Sequence, residues 1–222
     1  ETDTLKNLLG AICPYIGNDE LLLLRDDTND NAVTTDIIRG YEGNMSFRYY
    51  THKLNNDYGG HKNFGIEHCS GDYIFQIDGD ELPPDALLGE NLHALLESNP
   101  AIEAYAVPRL NDFKGVTEAH AKQWGWQLTY NARPSINDRT MGPLVNWPDY
   151  QFRIFKRDYP RIQFKNRLHE RIDGYKNIVA LPQEAEYALY HDKTIEKQIE
   201  TNLRYNRDFS VNENRGISDK RQ

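Results

Sequence analysis

A chain of 222 residues, 38% hydrophobic and 27% charged, can bury the core of one large domain and is too apolar for intrinsic disorder. Its net charge of −8 argues against nucleic acid as a partner, and its longest aliphatic run, Leu21–Leu24, is far short of the ~20 residues of a helical membrane span. Glu1-Thr2-Asp3 carries no basic or apolar leader, and Cys13 and Cys69 form no C-x-x-C, so a cytoplasmic protein with free thiols is expected. The charge is uneven: residues 151–222 hold 15 Lys/Arg against 11 Asp/Glu, a balance of +4 that leaves −12 for residues 1–150.

Leu5, Leu8, Leu9 and Ile12 predict a helix over Thr2–Ile12, stopped by Pro14. A doubly wound α/β domain ordinarily opens on a strand, so a first strand is expected to be missing ahead of this helix. The open edge left beside Glu20–Arg25 invites association, which leaves room for a homo-oligomer. Glu20–Arg25 reads as a strand running into Asp26-Asp27-Thr28-Asn29-Asp30, a polar loop whose Asp and Asn residues favour turns. Ala32–Arg39 reads as a short helix and Phe47–His52 as an aromatic and β-branched strand. Asn55–Gly60 reads as a loop ending in Gly59-Gly60, and His61–Cys69 as a helix with Phe64 and His68 on one face.

The chain is organised around DYIFQIDGDE, Asp72–Glu81, bounded by Ser70-Gly71 and Pro83-Pro84. Tyr73, Ile74, Phe75 and Ile77 form the apolar run expected of a buried parallel strand, and Asp78, Asp80 and Glu81 sit at its C-terminal end. Ligands of open α/β sheets bind at such strand ends. Asp78 and Asp80 project to one side of an extended chain, Gly79 lets the backbone bend, and two clustered carboxylates suit Mg²⁺ or Mn²⁺. The plainer alternative is an acidic turn before the next helix, with Asp85 as its N-cap.

That helix, Asp85–Glu97, turns Leu87, Leu88, Leu92, Leu95 and Leu96 to the core, and Ala101–Val107 reads as a strand before Pro108-Arg109. Residues 113–150 hold Trp124, Trp126 and Trp147 with Tyr130 and Tyr150, broken by Pro134, Gly142 and Pro143. Such rings stack on sugars or fill a small second core, the reading preferred for Trp147. Phe152–Phe155, flanked by Arg153 and Arg157, then Ile162–Phe164, Leu168–Ile172 and Tyr187–Tyr190 read as strands. His191 is placed at the end of the last, before a helix over Thr194–Phe209 and a polar tail, Val211–Gln222.

KNFGIEHCSGDYIFQIDGDE, PDYQFRIFKR at 148–157, LHE at 168–170 and LYH at 189–191 together resemble the GT-A fold nucleotide-sugar glycosyltransferases of the large inverting family. The branch resembled is the one containing lipopolysaccharide-core and viral capsid glycosyltransferases, and the likeness runs from Leu21 to Tyr205. It implies a single α/β domain over residues 1–222, a Rossmann-like, mostly parallel sheet flanked by helices. Residues 1–110 would bind the nucleotide sugar, and residues 111–222, with the C-terminal helix, the acceptor. It further implies a UDP-sugar donor, a glycan or other hydroxyl acceptor, and Asp27, with Asp26 second, on the base or ribose. Lys62 and Asn63 match the donor-binding helix, Asp78 and Asp80 the metal-binding D-x-D, and His191 a third metal ligand.

Sugar transfer needs charge neutralised on the leaving diphosphate and a base for the acceptor hydroxyl. Glu170 is the first choice for the base, on a strand with His169 turned to its other face, and Asp149 the second. Two other classes remain open: a non-catalytic sugar- or nucleotide-binding module on a degenerate transferase fold, and a haloacid-dehalogenase-like phosphatase. Against the phosphatase, Leu82 stands where that motif wants Thr or Val.

Overall fold

A computed structural model describes residues 2–28, 32–41, 47–130 and 142–214. Glu1, Asn29, Asp30, Pro134 and residues 215–222 of the tail lie outside the described residues. The chain opens with helix α1 (Thr2–Ile12), strand β1 (Leu21–Arg25), helix α2 (Ala32–Arg39) and strand β2 (Phe47–Thr51). β1 and β2 pair in parallel, Leu21 opposite Phe47. Leu8, Leu9 and Ile12 of α1 pack with Ile37 and Leu88, the apolar face that the spacing predicts.

Helix α3 runs from Tyr58 to His68, starting three residues before the expected His61. Asp57 caps it, accepting from Gly60 N at 2.9 Å, so the Gly59-Gly60 pair lies in the first turn and not in a loop. Gly59 is required there, because a Cβ would collide with the Asn166 carbonyl oxygen.

The rest builds two larger sheets. Strands β3 (Tyr73–Phe75) and β4 (Glu81–Leu82) are followed by a 3-10 turn, Asp85–Leu87, and helix α4 (Gly89–Ser98). The expected single helix is broken because Leu88 is extended and Gly89 has φ +52°, and Pro84, not Asp85, precedes the turn. Then come β5 (Ala104–Val107), β6 (Arg109–Lys114), α5 (Glu118–Trp124), β7 (Leu128–Thr129), β8 (Leu144–Val145) and β9 (Gln151–Lys156). Strands β10 (Gln163–Lys165), β11 (Arg171–Asp173), β12 (Ile178–Ala180) and β13 (Leu189–Thr194) lead to helices α6 (Ile195–Asp208) and α7 (Val211–Asn214).

One sheet has the order β12-β5-β9-β3 and the other β4-β13-β6-β8-β7. The mixed α/β class is as expected, but the parallel pairings are β1–β2, β5–β12 and β6–β13, and the others are antiparallel. β3 corrects the buried parallel strand expected there. It is three residues long, half-buried, and antiparallel to β9, with Ile74 opposite Phe155.

The chain passes between these sheets at 76–80, at Pro108, at 146–150 and at 181–188. These crossings carry Asp78, Asp80 and Asp149, and Arg109 opens β6 directly after Pro108. The core is split accordingly. Tyr105, Val107, Ile154 and Leu189 cluster on one side, and Ala104, Phe155, Ile162 and Ile172 on the other. Trp147 packs against Leu110, Leu144 and Ala188, the small second core expected of it.

Candidate active site

The two aspartates of the crossing after β3 meet different partners. Asp78 Oδ1 accepts from Gln76 Nε2 at 2.8 Å and lies 3.1 Å from Lys62 Nζ, while Oδ2 accepts from Arg153. Burial raises its pKa, yet Arg153 and Lys62 outweigh this and hold the carboxyl well below the usual carboxylate range. Asp80 faces His191, Oδ2 to Nε2 at 3.4 Å. Here too burial raises the pKa, and the contact with His191 outweighs it, bringing the carboxyl to about 2.

His191 is buried inside β13, not placed at a strand end, and is the register partner of both Glu81 and Asn111. Its Nδ1 lies 2.8 Å from Asn111 Oδ1. The Asn111 amide nitrogen donates to Asp149 Oδ2 at 2.8 Å and to the Val145 carbonyl at 3.1 Å, so its oxygen must face the imidazole. Nδ1 therefore carries the hydrogen, which leaves Nε2 to face Asp80. Nε2 donates to the carboxylate when the ring carries a second proton, and shares a cation with it when the ring is neutral.

Glu81 is fully buried and accepts from Arg109 Nη1 at 3.0 Å, from Arg153, and from the Asp78 backbone N–H at 3.1 Å. A charge so placed is tolerable only when paired and hydrogen-bonded. Arg109 reaches on to Asp149, its Nη2 2.6 Å and Nε 3.0 Å from Oδ2. Gln151 Nε2 donates to Oδ1 at 3.0 Å. Burial raises the Asp149 pKa, and Arg109 and Asn111 outweigh it and lower it.

Glu170 completes the cluster through Lys62, whose Nζ lies 2.7 Å from Oε1. The expected strand over Leu168–Ile172 begins only at Arg171. Asn166 and His169 have φ of +73° and +54°, so Glu170 is carried by a bend. One network thus runs from Glu170 through Lys62, Asp78, Arg153, Glu81, Arg109, Asp149 and Asn111 to His191 and Asp80.

Other expected residues lie elsewhere. Asn63 exchanges two hydrogen bonds with the Phe164 backbone, at 3.0 and 2.8 Å, and ties α3 to β10. Asp26 Oδ1 accepts from the backbone N–H groups of Thr28 and Leu54, both at 3.0 Å, and shapes the turn after β1. Asp27 beside it is exposed. Sequence reasoning assigned no role to Gln76, Arg109, Asn111 and Arg153. Arg153 carried a signal, since an arginine inside the apolar strand QFRIFK must find buried partners.

For a divalent cation, the donor set fits at Asp80 and His191, a carboxylate and an imidazole whose other nitrogen is anchored. Asp78 is engaged by Lys62 and Arg153, which repel a metal. Among the described residues no three His, Cys, Asp or Glu side chains converge on a metal position.

The family model for glycosyl transferase family 2 matches residues 1–166. The chain belongs to glycosyl transferase family 2. The phosphatase alternative falls with that membership. The matched stretch holds Lys62, Asp78, Asp80 and Asp149 and ends before Glu170 and His191. No curated protein sequence matches the chain. Among solved structures it resembles Staphylococcus aureus TarS 1-349 in complex with UDP-GlcNAc, with a TM-score of 0.53 at 13% identity, covering 86% of this chain and 56% of that one. It also resembles a longer S. aureus TarS chain, with a TM-score of 0.54 at 15% identity, covering 90% of this chain and 35% of that one. These likenesses bear out the GT-A fold, and the chain spans between a third and three fifths of the TarS chains. Among the described residues no helix is long and apolar enough to cross a membrane.

Proposed function

We propose that this family 2 domain transfers a sugar from a nucleotide diphosphate sugar, UDP-linked in the first instance, to a hydroxyl acceptor with inversion. The observation that carries the reading is the Asp80–His191 pair, a carboxylate oxygen and an imidazole nitrogen 3.4 Å apart with the imidazole fixed from behind by Asn111. Asp80 and His191 would hold Mn²⁺ or Mg²⁺, which supplies charge to the leaving diphosphate. The donor's phosphates and water would complete such a shell, in keeping with two protein ligands among the described residues. Within the network five carboxylates (Asp78, Asp80, Glu81, Asp149, Glu170) meet three cations (Lys62, Arg109, Arg153) among the described residues. That negative excess suits a divalent ion.

Glu170 is the base in this reading. It takes the proton from the acceptor hydroxyl as that oxygen bonds to the anomeric carbon and the bond to the diphosphate oxygen breaks, releasing the nucleoside diphosphate. Asp149 is the poorer base, because Arg109, Asn111 and Gln151 engage both of its oxygens, and Arg109 and Asn111 lower its pKa against its burial. It holds Asn111 and Arg109 in place instead. Asp27, exposed at the end of β1, is assigned to the base or ribose and Lys62 to the diphosphate, while Asp26 and Asn63 shape the walls.

Residues 1–110 form the donor part and 111–222 the acceptor part of a single domain. An aromatic series from His191 through Phe113 and Trp126 to Trp124, with ring centroids 5.5, 5.4 and 4.7 Å apart, supports a sugar-stacking acceptor face beside the cation. The UDP-GlcNAc bound by TarS supports the choice of a UDP-sugar, although the likeness itself is one of fold. The test is a panel of nucleotide sugars with Mn²⁺ or Mg²⁺, read by nucleoside diphosphate release. Metal-dependent release from one donor is expected. Donor binding with no release from any donor, under any acceptor mixture, would favour the binding-module reading.

A further inference from the structure

Lys62 is shared between two carboxylates, Glu170 and Asp78. Its ammonium lies 2.7 Å from Glu170 Oε1, 3.1 Å from Asp78 Oδ1 and 3.3 Å from Gln76 Oε1, with the Phe164 ring centroid at 5.3 Å. The side chains of Lys62 and Glu170 are only 13% and 16% exposed, so the pair is shielded from solvent. An arginine at this place could hold a phosphate and a carboxylate at once through its fork. A lysine is a point charge on a flexible stem, and what it gives to one partner it withdraws from another. Glu170 paired to an ammonium is also a hindered base, because taking a proton neutralises the carboxylate and forfeits its attraction to Lys62.

We propose that Lys62 couples donor binding to the release of Glu170: the donor's diphosphate takes the ammonium, and Glu170 is freed to meet the acceptor hydroxyl. The inference rests on the reading of Lys62 and Glu170 given above and adds an ordered dependence to it. Without donor, Lys62 restrains the base; with donor, the restraint passes to the phosphates. The bend at Asn166 and His169 lets Glu170 move without breaking a strand pairing, since β11 begins one residue later. Asp78 keeps its second oxygen on Arg153 throughout, so the loop after β3 does not lose its anchor.

Competition for one cation has a thermodynamic signature. Removing the Glu170 charge should tighten UDP, because the diphosphate no longer has to displace a carboxylate. The experiment is calorimetric titration of UDP with Mn²⁺ into wild type, Glu170→Gln, Lys62→Met and the double variant. Glu170→Gln should bind UDP roughly 3- to 10-fold more tightly, at or just above the upper end for a solvent-exposed ion pair, as suits one that is shielded. In the Lys62→Met background the same substitution should give no gain, and that difference isolates the coupling. Uridine, which lacks the phosphates, should bind wild type and Glu170→Gln alike, a comparison that holds even if Lys62→Met folds poorly. Unchanged or weaker UDP binding by Glu170→Gln overturns the coupling, as does an equal gain without Lys62 or with uridine. Wild type that binds no UDP at all overturns the functional reading itself, and the coupling with it.

Discussion

His191 and Asn111 are register partners across β6 and β13, and their side chains meet with Nδ1 2.8 Å from Oδ1. The strand pairing thereby fixes which imidazole nitrogen is available to Asp80. Asn111→Leu removes the acceptor behind the ring while keeping a side chain of similar volume. Loss of such a supporting contact costs about 10- to 100-fold in metal affinity. Mn²⁺ titration in the presence of UDP should show that loss, with a melting curve to verify the fold. Unchanged Mn²⁺ affinity would remove Asn111 from the site.

Glu81 should matter to stability more than its place outside the donor set suggests. Glu81→Gln leaves Arg109 and Arg153 facing each other without the buried charge between them. Removing one partner of a buried ion pair costs about 3–5 kcal/mol. Urea unfolding should show a loss of that order, and a change within about 0.5 kcal/mol, ordinary for a surface site, would contradict it.

Much of the architecture was legible in the sequence, and the failures have physical causes. α1 and α2 have the bounds expected of them, and α6 is one residue shorter at each end than the expected Thr194–Phe209, with Thr194 capping it from outside. β3 misled because its partner β9 is about eighty residues away and runs antiparallel, which the apolar run of Tyr73–Phe75 cannot reveal. The bend at Leu168–Glu170 was hidden because Asn166 and His169 adopt positive φ without a glycine to announce it. The candidate residues at 62, 78, 80, 149, 170 and 191 do converge, but the arginines and Asn111 that join them come from registers no local pattern encodes.

Gly59 gives a steric test of how α3 is seated. Gly59→Ala drives a methyl group into the Asn166 carbonyl, in the loop that leads to Glu170. Overpacking of this kind costs about 1–3 kcal/mol. At Gly10, in α1, a methyl group would meet nothing within 4 Å, so Gly10→Ala should instead stabilise by about 0.5–1 kcal/mol. Thermal melts of the two variants should move in opposite directions; a shared direction would contradict this seating.

His61 gives the chain a pH dependence of predictable sign. Burial, followed by the neighbouring His52, holds its pKa below the ordinary 6.5, and the two Nδ1 atoms are 3.2 Å apart. The unfolded chain therefore takes up this proton first as the pH falls. The contribution is complete above about pH 6.5 and declines below it, until the folded pKa is passed. The melting temperature should fall from pH 7.5 to 5.5 more steeply for wild type than for His61→Gln. Parallel curves would show that His61 does not carry the effect.

The central claim is that a cation held by Asp80 and His191 joins the donor to this fold. It is tested most directly by UDP titration with Mn²⁺ and with EDTA, for wild type and Asp80→Asn. Wild type should bind UDP at least ~10-fold more tightly with Mn²⁺, and Asp80→Asn should lose that difference while melting as a folded domain. Full Mn²⁺ dependence retained in Asp80→Asn, or none in wild type, would contradict the account.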